Sequence, residues 1–477
     1  MQGKKDSTAK LFYELTLDDL VPADHPVRKI SEELDLRYLY KETREYYSHE
    51  GKPSIDPVVL FKFYVICYFF GIRTERQLFR EVQVNLAYRW YLGYDLDEQI
   101  PHHSIMTKSR YRFPVEVFDR FFKRIVYLCK KKELISGDYY FMDSSLVRAD
   151  AAKSSFRAKL RTEDEFLKQL REEEEKEEEE DRAEQKHDRF DGEVEPEKMG
   201  RRNKSGKVND RIWSSTDPDA QLARRGGGAA VPAYKAHFCV DGKKRVILSV
   251  AASKANDDDM TKVAELTTNA LFASGRKASY GVADSKYGGV ETLKYLQDQN
   301  IQTCIHPRTT HSRSGKFEQT DFKVLGEYEA AECPAGHQSL RSDSQGYTYL
   351  FKWSKEQCDG CRLKKQCTTS KSGRTLVFYK GDHFRRAREV LDSAIGKKLS
   401  RARKVIIEGV IAEAKTNHLM GRCKYRGLPK FRIQLLLTAS VINLKRLLQS
   451  TKDRARPGIA AAIPLASNCL GASFCFA

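Results

Sequence analysis

The sequence predicts a mixed α/β catalytic region preceded by an all-helical N-terminal region. Three observations lead there. Residues 11–135 carry helical apolar periodicity. Two short apolar runs each stop on a carboxylate, Asp143 in DYYFMDSS and Asp284 in SYGVADSKYG. From Tyr234 onward, strand and helix patterns alternate. A buried strand that stops on an acid delivers that acid to the edge of a sheet, and two such strands suggest a metal site.

In the N-terminal region, Asp18 and Asp19 cap a short helix, and Pro57 stands at the first turn of a helix over 58–72. That stretch, VVLFKFYVICYFFGI, is shorter than the roughly 20 residues of a membrane span, and Lys62 interrupts it. A buried helix is expected instead. Residues 73–93 read as two short helices, and an amphipathic pair follows Pro101. The bases among them (Arg73, Arg76, Arg80, Arg89, Lys108, Arg110, Arg112) are compatible with docking on a DNA backbone. They are equally compatible with the solvated face of a helical oligomerisation domain.

Composition narrows the partner. The 477 residues carry a net charge of +18, which points to a polyanion, most often nucleic acid. Residues 163–181 hold 12 acids against 3 bases, so the rest of the chain carries +27. The opening MQGKKDSTAKLFYEL has no apolar core or cleavage signal, so export is not expected and a cytoplasmic, nucleoid-associated location is. Eleven cysteines without a secretory signal argue for thiols or metal in a reducing compartment.

The catalytic region is expected over 136–450. Its first strand is 138–143, followed by a polar excursion over 150–230 read as an insertion. The acidic part of that excursion reads as an exposed helix or disorder, and its Gly-rich part as a flexible loop. AYKAHFCVD and RVILSVAAS form a hairpin around Asp241–Lys244, then come a helix over 257–274, the Asp284 strand, a helix and a short strand. This order is the ribonuclease-H-like layout. A second, cysteine-rich insertion spans 307–380, and residues 451–477 form a tail.

Two-metal phosphoryl transfer needs several acids converging on ions about 3.5–4 Å apart. A third acid should come from a late helix, where VIIEGVIAEAK offers Glu408 and Glu413. At about 3.6 residues per turn, Lys404, Glu408, Ile411 and Lys415 share one stripe, with Arg401 and Arg422 at its ends, and Glu413 points away. Glu408 is therefore the expected ligand, and Lys404, Lys415 and Arg422 the expected DNA contacts. Ordinary surface ion pairs along that stripe are the alternative.

With those motifs in view, the chain resembles the DDE transposases of bacterial insertion sequences. The carriers are GKPSIDPVVLFKFYVICYFFGIRTERQLFREV, PHHSIMTKSR, FMDSSLVRADAAKSS, STDPDA, GVADSKYG and the run from IIEGVIAEAK to VINLKRL. The resemblance implies a catalytic Asp-Asp-Glu triad at Asp143, Asp284 and Glu408, holding Mg²⁺ or Mn²⁺. It implies a lysine seven residues after the glutamate, here Lys415. It also implies double-stranded DNA as partner (element ends and target) and a homodimer or higher assembly for synapsis. The family signature often places a tyrosine and an arginine before the glutamate. Here Arg401 and Lys404 stand there.

Within the second insertion, CPAGH precedes CDGCRLKKQC. Cys333, Cys358, Cys361 and Cys367 can supply four thiolates to a tetrahedral Zn²⁺, or can remain free thiols in a loop. Two other functions stay open on the sequence: a DNA-binding protein derived from a transposase but no longer catalytic, and a metal-dependent nuclease that cuts without joining.

Overall fold

The computed structural model describes residues 15–158, 208–308, 316–379 and 382–455, apart from 49, 52–53, 225–227, 318, 327 and 344–347. The acidic run 163–181 and the tail beyond 455 lie outside the described residues.

The first third is helical. Asp56 caps the helix Pro57–Phe69 by accepting from the Val58 and Val59 amides, with Pro57 at the first helical position. Nine of its residues are buried, as a sequence apolar all round except for Lys62 requires. Thr16, not an aspartate, caps the helix Leu17–Leu20, and Asp19 completes the capping box. The helix Val115–Lys131 lays its apolar face (Phe118, Phe121, Phe122, Ile125) inward.

The central sheet follows. β1 (Tyr139–Arg148) is flanked by β5 (Val231–Asp241), antiparallel, and by β7 (Tyr280–Val282), parallel. β8 (Gln302–Cys304) extends the parallel side. The far edge of β5 is shared by β6 (Ile247–Lys254) and by β4 (Gln221–Ala223). The segment 150–230 is therefore not wholly an excursion from the fold. Its end returns to the sheet as β4, and β2 (Phe156–Ala158) pairs with β3 (Ile212–Ser214) across its base. The turn after β5 is held by Asp241, whose buried carboxylate accepts from the amides of Ser136, Gly137 and Lys243.

The helix Leu428–Ala455 packs on β6, on Val115–Lys131 and on Pro57–Phe69. Asn443 on it donates to the carbonyl of Ile247 and accepts from the amide of Ile247, both at 2.8 Å, so the helix completes the buried backbone of β6. Asp219, in the STDPDA turn, accepts from the Leu428 amide at 2.9 Å and caps this helix, and Asp217 accepts from Gly427 at 3.1 Å. The largest cluster of buried side chains runs from Val21 to Leu448, so the helical region and the central sheet share a core.

Residues 323–379 form a separate antiparallel sheet of five strands: β9 (Lys323–Leu325), β10 (Ala330–Glu332), β11 (Gln338–Asp343), β12 (Thr348–Lys352) and β13 (Thr375–Tyr379). It has its own small core around Phe322, Phe351 and Trp353. Among the described residues, no helix is long and apolar enough to cross a membrane.

Candidate active site

Asp143 does not end its strand. It is the fifth of the ten residues of β1, which continues to Arg148 against β5. What ends is the pairing with β7, whose last pair is Phe141 with Val282. Two residues beyond that pair lie Asp143 on one strand and Asp284 on the other, in the same parallel register. Neighbouring strands are about 4.8 Å apart, and residues two apart share a face. The opening between β1 and β7 therefore presents both carboxylates side by side.

Local structure fixes Asp284. It caps the single turn Ser285–Tyr287 by accepting from the Lys286 amide at 3.1 Å. The chain then passes against the exit of β8, where the Arg308 amide donates to the Gly288 carbonyl at 2.8 Å. A Cβ on Gly288 would fall 2.0 Å from the His306 carbonyl oxygen, so only glycine admits this approach.

The late helix brings the third acid. Asp143, Asp284 and Glu408 line one open cleft of about 850 Å³, with Lys286, Arg403 and Lys415 also on its walls. Residues 404–408 form a π turn between the helices Ala394–Arg403 and Gly409–Thr416. The extra residue in that turn alters the expected stripe. Ile411 and Lys415 face the cleft with Glu408 as the helical period predicts, but Arg403 takes the place read for Lys404. Arg403 Nη1 donates to Asp143 Oδ2 at 3.1 Å and Nη2 to Glu408 Oε1 at 3.0 Å. Lys404 is exposed and outside the cleft lining. Arg422 also lies outside it, paired with Asp150 at 3.1 Å beside the end of β1. Glu413 points elsewhere, into an ion pair with Arg446 at the long helix.

Burial pushes the Asp143 carboxyl up to about 6, and the neighbouring Asp284 charge adds to this, against the Ser144 amide, Arg403 and Lys286. Asp143 and Asp284 together form a hard oxygen donor set suited to Mg²⁺ or Mn²⁺, which need only one or two carboxylates besides water and substrate. Among the described residues, no three His, Cys, Asp or Glu side chains are gathered into a ready-made metal cage. Here Arg403 stands between two of the acids.

Sequence reasoning missed other residues of the cleft. Asp257, Asp258 and Asp259 belong to its wall. Asp258 pairs with Arg308 at 3.1 Å, and the buried Asp259 with Lys235 at 3.1 Å. Three acids in sequence, opposite a strand lysine, were the available signal.

Two of the basic side chains read as DNA contacts are structural. Arg110 is buried, ion-paired to Glu75, with its guanidinium 4.0 Å from the Tyr425 ring centroid. Arg89 is buried on the carbonyls of Asp95 and Glu98. Their charge is spent inside the fold, which residue type alone does not reveal. Arg73, Arg76, Arg80 and Lys108 are exposed.

Two family models match the chain: a transposase domain (DUF772) over residues 15–112, and a transposase DDE domain over residues 332–448. The chain belongs to the DDE transposases of insertion sequences. The second match contains Glu408, while Asp143 and Asp284 lie between the two matched segments. No curated protein matches the transposase. Among solved structures, the cryo-EM synaptic complex of piggyBac transposase with hairpin DNA is similar at 9% identity and a TM-score of 0.31. That likeness covers 88% of this chain and 73% of that one, and is too faint to bear on fold or chemistry.

Beside the second sheet of the transposase, Cys333, Cys358, Cys361 and Cys367, on the turns and short helices that connect its strands, line one small cavity of about 20 Å³, together with His337. Burial raises the Cys367 thiol, and the Cys358, Cys333 and Cys361 sulfurs add to this. The thiols share the cavity without being gathered into a coordination shell.

Proposed function

We propose that this transposase cuts and joins the ends of its insertion sequence by in-line phosphoryl transfer, with Asp143, Asp284 and Glu408 as the metal-binding triad. The observation that carries this reading is the convergence of three carboxylates, from strand β1, the turn after β7 and the π turn 404–408, on one cleft whose walls also carry Lys286, Arg308, Arg403 and Lys415. The strand order, with an antiparallel β6-β5-β1 unit followed by parallel β7 and β8, supports the ribonuclease-H-like reading of the sheet.

Bound Mg²⁺ or Mn²⁺ supplies Lewis acidity and an oxygen nucleophile at neutral pH. Asp143 and Asp284 would hold it from the sheet and Glu408 from the helix. Lys415, which lines the cleft, would grip the phosphate beside the scissile bond. The nucleophile is water for cutting and a terminal 3′-hydroxyl for joining, and no protein side chain is required to attack. Lys404 and Arg422, away from the cleft lining, would contact DNA further from the cut. The helical region 1–135 would grip the element ends through exposed bases such as Arg73, Arg76 and Arg80. Joining two ends calls for at least a homodimer.

An excision assay tests the reading. The gene with its flanking DNA is placed on a donor plasmid, in wild-type and Asp284→Asn forms. Loss of the element with the wild type alone is expected, and excision by Asp284→Asn would remove that residue from the site.

The cysteine cavity is assigned to zinc on the C-x₂-C spacing and the shared lining of four sulfurs. The purified protein should carry about one chelatable zinc per chain, the number one Cys₄ site holds. The zinc should be absent from a Cys358→Ser, Cys361→Ser double variant. Metal-free wild-type protein would return these residues to plain thiols.

A further inference from the structure

One side chain of the cleft has a position that the chemistry above does not use. The Arg403 guanidinium places one nitrogen on Asp143 and the other on Glu408, at 3.1 and 3.0 Å. Its side chain is 19% exposed and that of Asp143 16%, so the Asp143 contact is largely withdrawn from water, unlike an ordinary surface pair, while Glu408, 49% exposed, meets the same guanidinium from the solvent side. It is built by the π turn, because contact between residues five apart requires the wider turn at 404–408. One positive charge thus stands between two carboxylates proposed as metal ligands. It cannot keep both contacts once a divalent cation takes those same oxygens, since the two cations would repel at close range.

We propose that Arg403 is a resident counter-cation: it holds Asp143 and Glu408 in the metal-free transposase and must release both when a divalent ion binds. This rests on the triad reading given above. Metal binding and arginine release are then one exchange, and Arg403 sets how much free metal ion is needed to switch the site on. In the metal-free protein it also keeps the like-charged acids from being left without a counter-charge.

The test is a thermodynamic cycle without DNA, using Mn²⁺ as probe. Wild type, Arg403→Gln, Arg403→Lys, Arg308→Gln and Asp284→Asn are titrated calorimetrically and melted in EDTA and in saturating Mn²⁺. Arg403→Gln should bind Mn²⁺ roughly tenfold more tightly, within the usual range of coupling between sites. It should melt below wild type in EDTA and close that gap in Mn²⁺. Arg403→Lys, whose single ammonium cannot fork to both acids, should shift the affinity in the same direction by less. It also serves if the glutamine variant is too unstable to purify. Arg308→Gln removes a cleft cation that pairs with Asp258 and touches neither triad acid. It should shift the affinity little, and a shift equal to that of Arg403→Gln would reduce the effect to diffuse charge and overturn the proposal. An Arg403→Gln deficit of equal size with and without Mn²⁺, at unchanged affinity, would also overturn it and leave Arg403 a purely structural pair. Asp284→Asn separates the two readings. Loss of Mn²⁺ binding there keeps the triad whatever Arg403 does, and wild-type binding there removes the triad and the exchange together.

Discussion

Glu408→Gln should lower strand cleavage by the purified transposase by roughly 10³-fold, the order reached when a group serving the transition-state charge is removed. Glu413→Gln, five residues on, should leave cleavage within a few-fold of wild type. Both are glutamates of one helical run, and their surroundings separate them. Glu408 lines the cleft and touches Arg403, whereas Glu413 is committed to Arg446 at the long helix. Glu413→Gln should instead show as a lower melting temperature, because it leaves the half-buried Arg446 without its charge partner. The check is cleavage of a labelled element end under single-turnover conditions, with melting followed in parallel. Cleavage lost with Glu413→Gln and kept with Glu408→Gln would reverse the assignment.

Asp143→Asn should also abolish cleavage, but its larger surprise is in stability. The Asp143 carboxyl sits near 6 in the folded protein against an ordinary 3.8, chiefly because burial disfavours its charge. Below pH 3.8 it is protonated in both states and contributes nothing. Between 3.8 and about 6 the unfolded chain has given up a proton that the folded protein keeps, so folding stability falls as pH rises. Above that window the cost is constant. Roughly two pKa steps at about 1.4 kcal/mol each give about 3 kcal/mol, an order-of-magnitude figure. Asparagine has no charge to bury. In EDTA, Asp143→Asn should therefore melt above wild type at pH 8 and level with it near pH 4. A variant less stable than wild type at pH 8 would show that the Arg403 contact outweighs the burial cost. A gain in stability at the expense of function is the behaviour expected of an acid kept for chemistry.

Much of this site was legible because it depends on short-range pattern. The two apolar runs that stop on acids mark where β1 and β7 part, although β1 itself runs on past Asp143 to Arg148, and helical period puts Glu408 rather than Glu413 on the cleft. The side-by-side placing of Asp143 and Asp284 follows from register, which the lengths of the two apolar runs already constrain. Arg403 was not legible. A π turn leaves no mark in the apolar pattern, and its one added residue moves a neighbouring base onto the cleft in place of Lys404. The fates of Arg89 and Arg110 were hidden for a different reason. A basic residue on a helix reads as solvated until its partners are known: Glu75 and Tyr425 reach Arg110 from elsewhere in the chain, and the carbonyls of Asp95 and Glu98 turn back onto Arg89. β4 was obscured by the polar, glycine-rich residues around it, since a three-residue edge strand is too short to show a period.

The common core of the helical region and the sheet bears on how such a protein can diversify. Arg110 from the N-terminal third stacks on Tyr425 from the last, and the Tyr68 and Tyr425 hydroxyls meet at 3.2 Å. His418 bonds the Tyr68 carbonyl at 2.8 Å. A recognition module joined by a linker can be exchanged between lineages as a block. Here an exchange near residue 135 would bring a foreign surface against these partners and open the interior. On the reading proposed for the helical region, new element ends would then be acquired by substitution on exposed helix faces, one side chain at a time, while the joint behind them stays fixed. Related chains that have drifted apart in the DNA they recognise should differ first at exposed positions such as 73, 76, 80 and 108, and last at 68, 110 and 425.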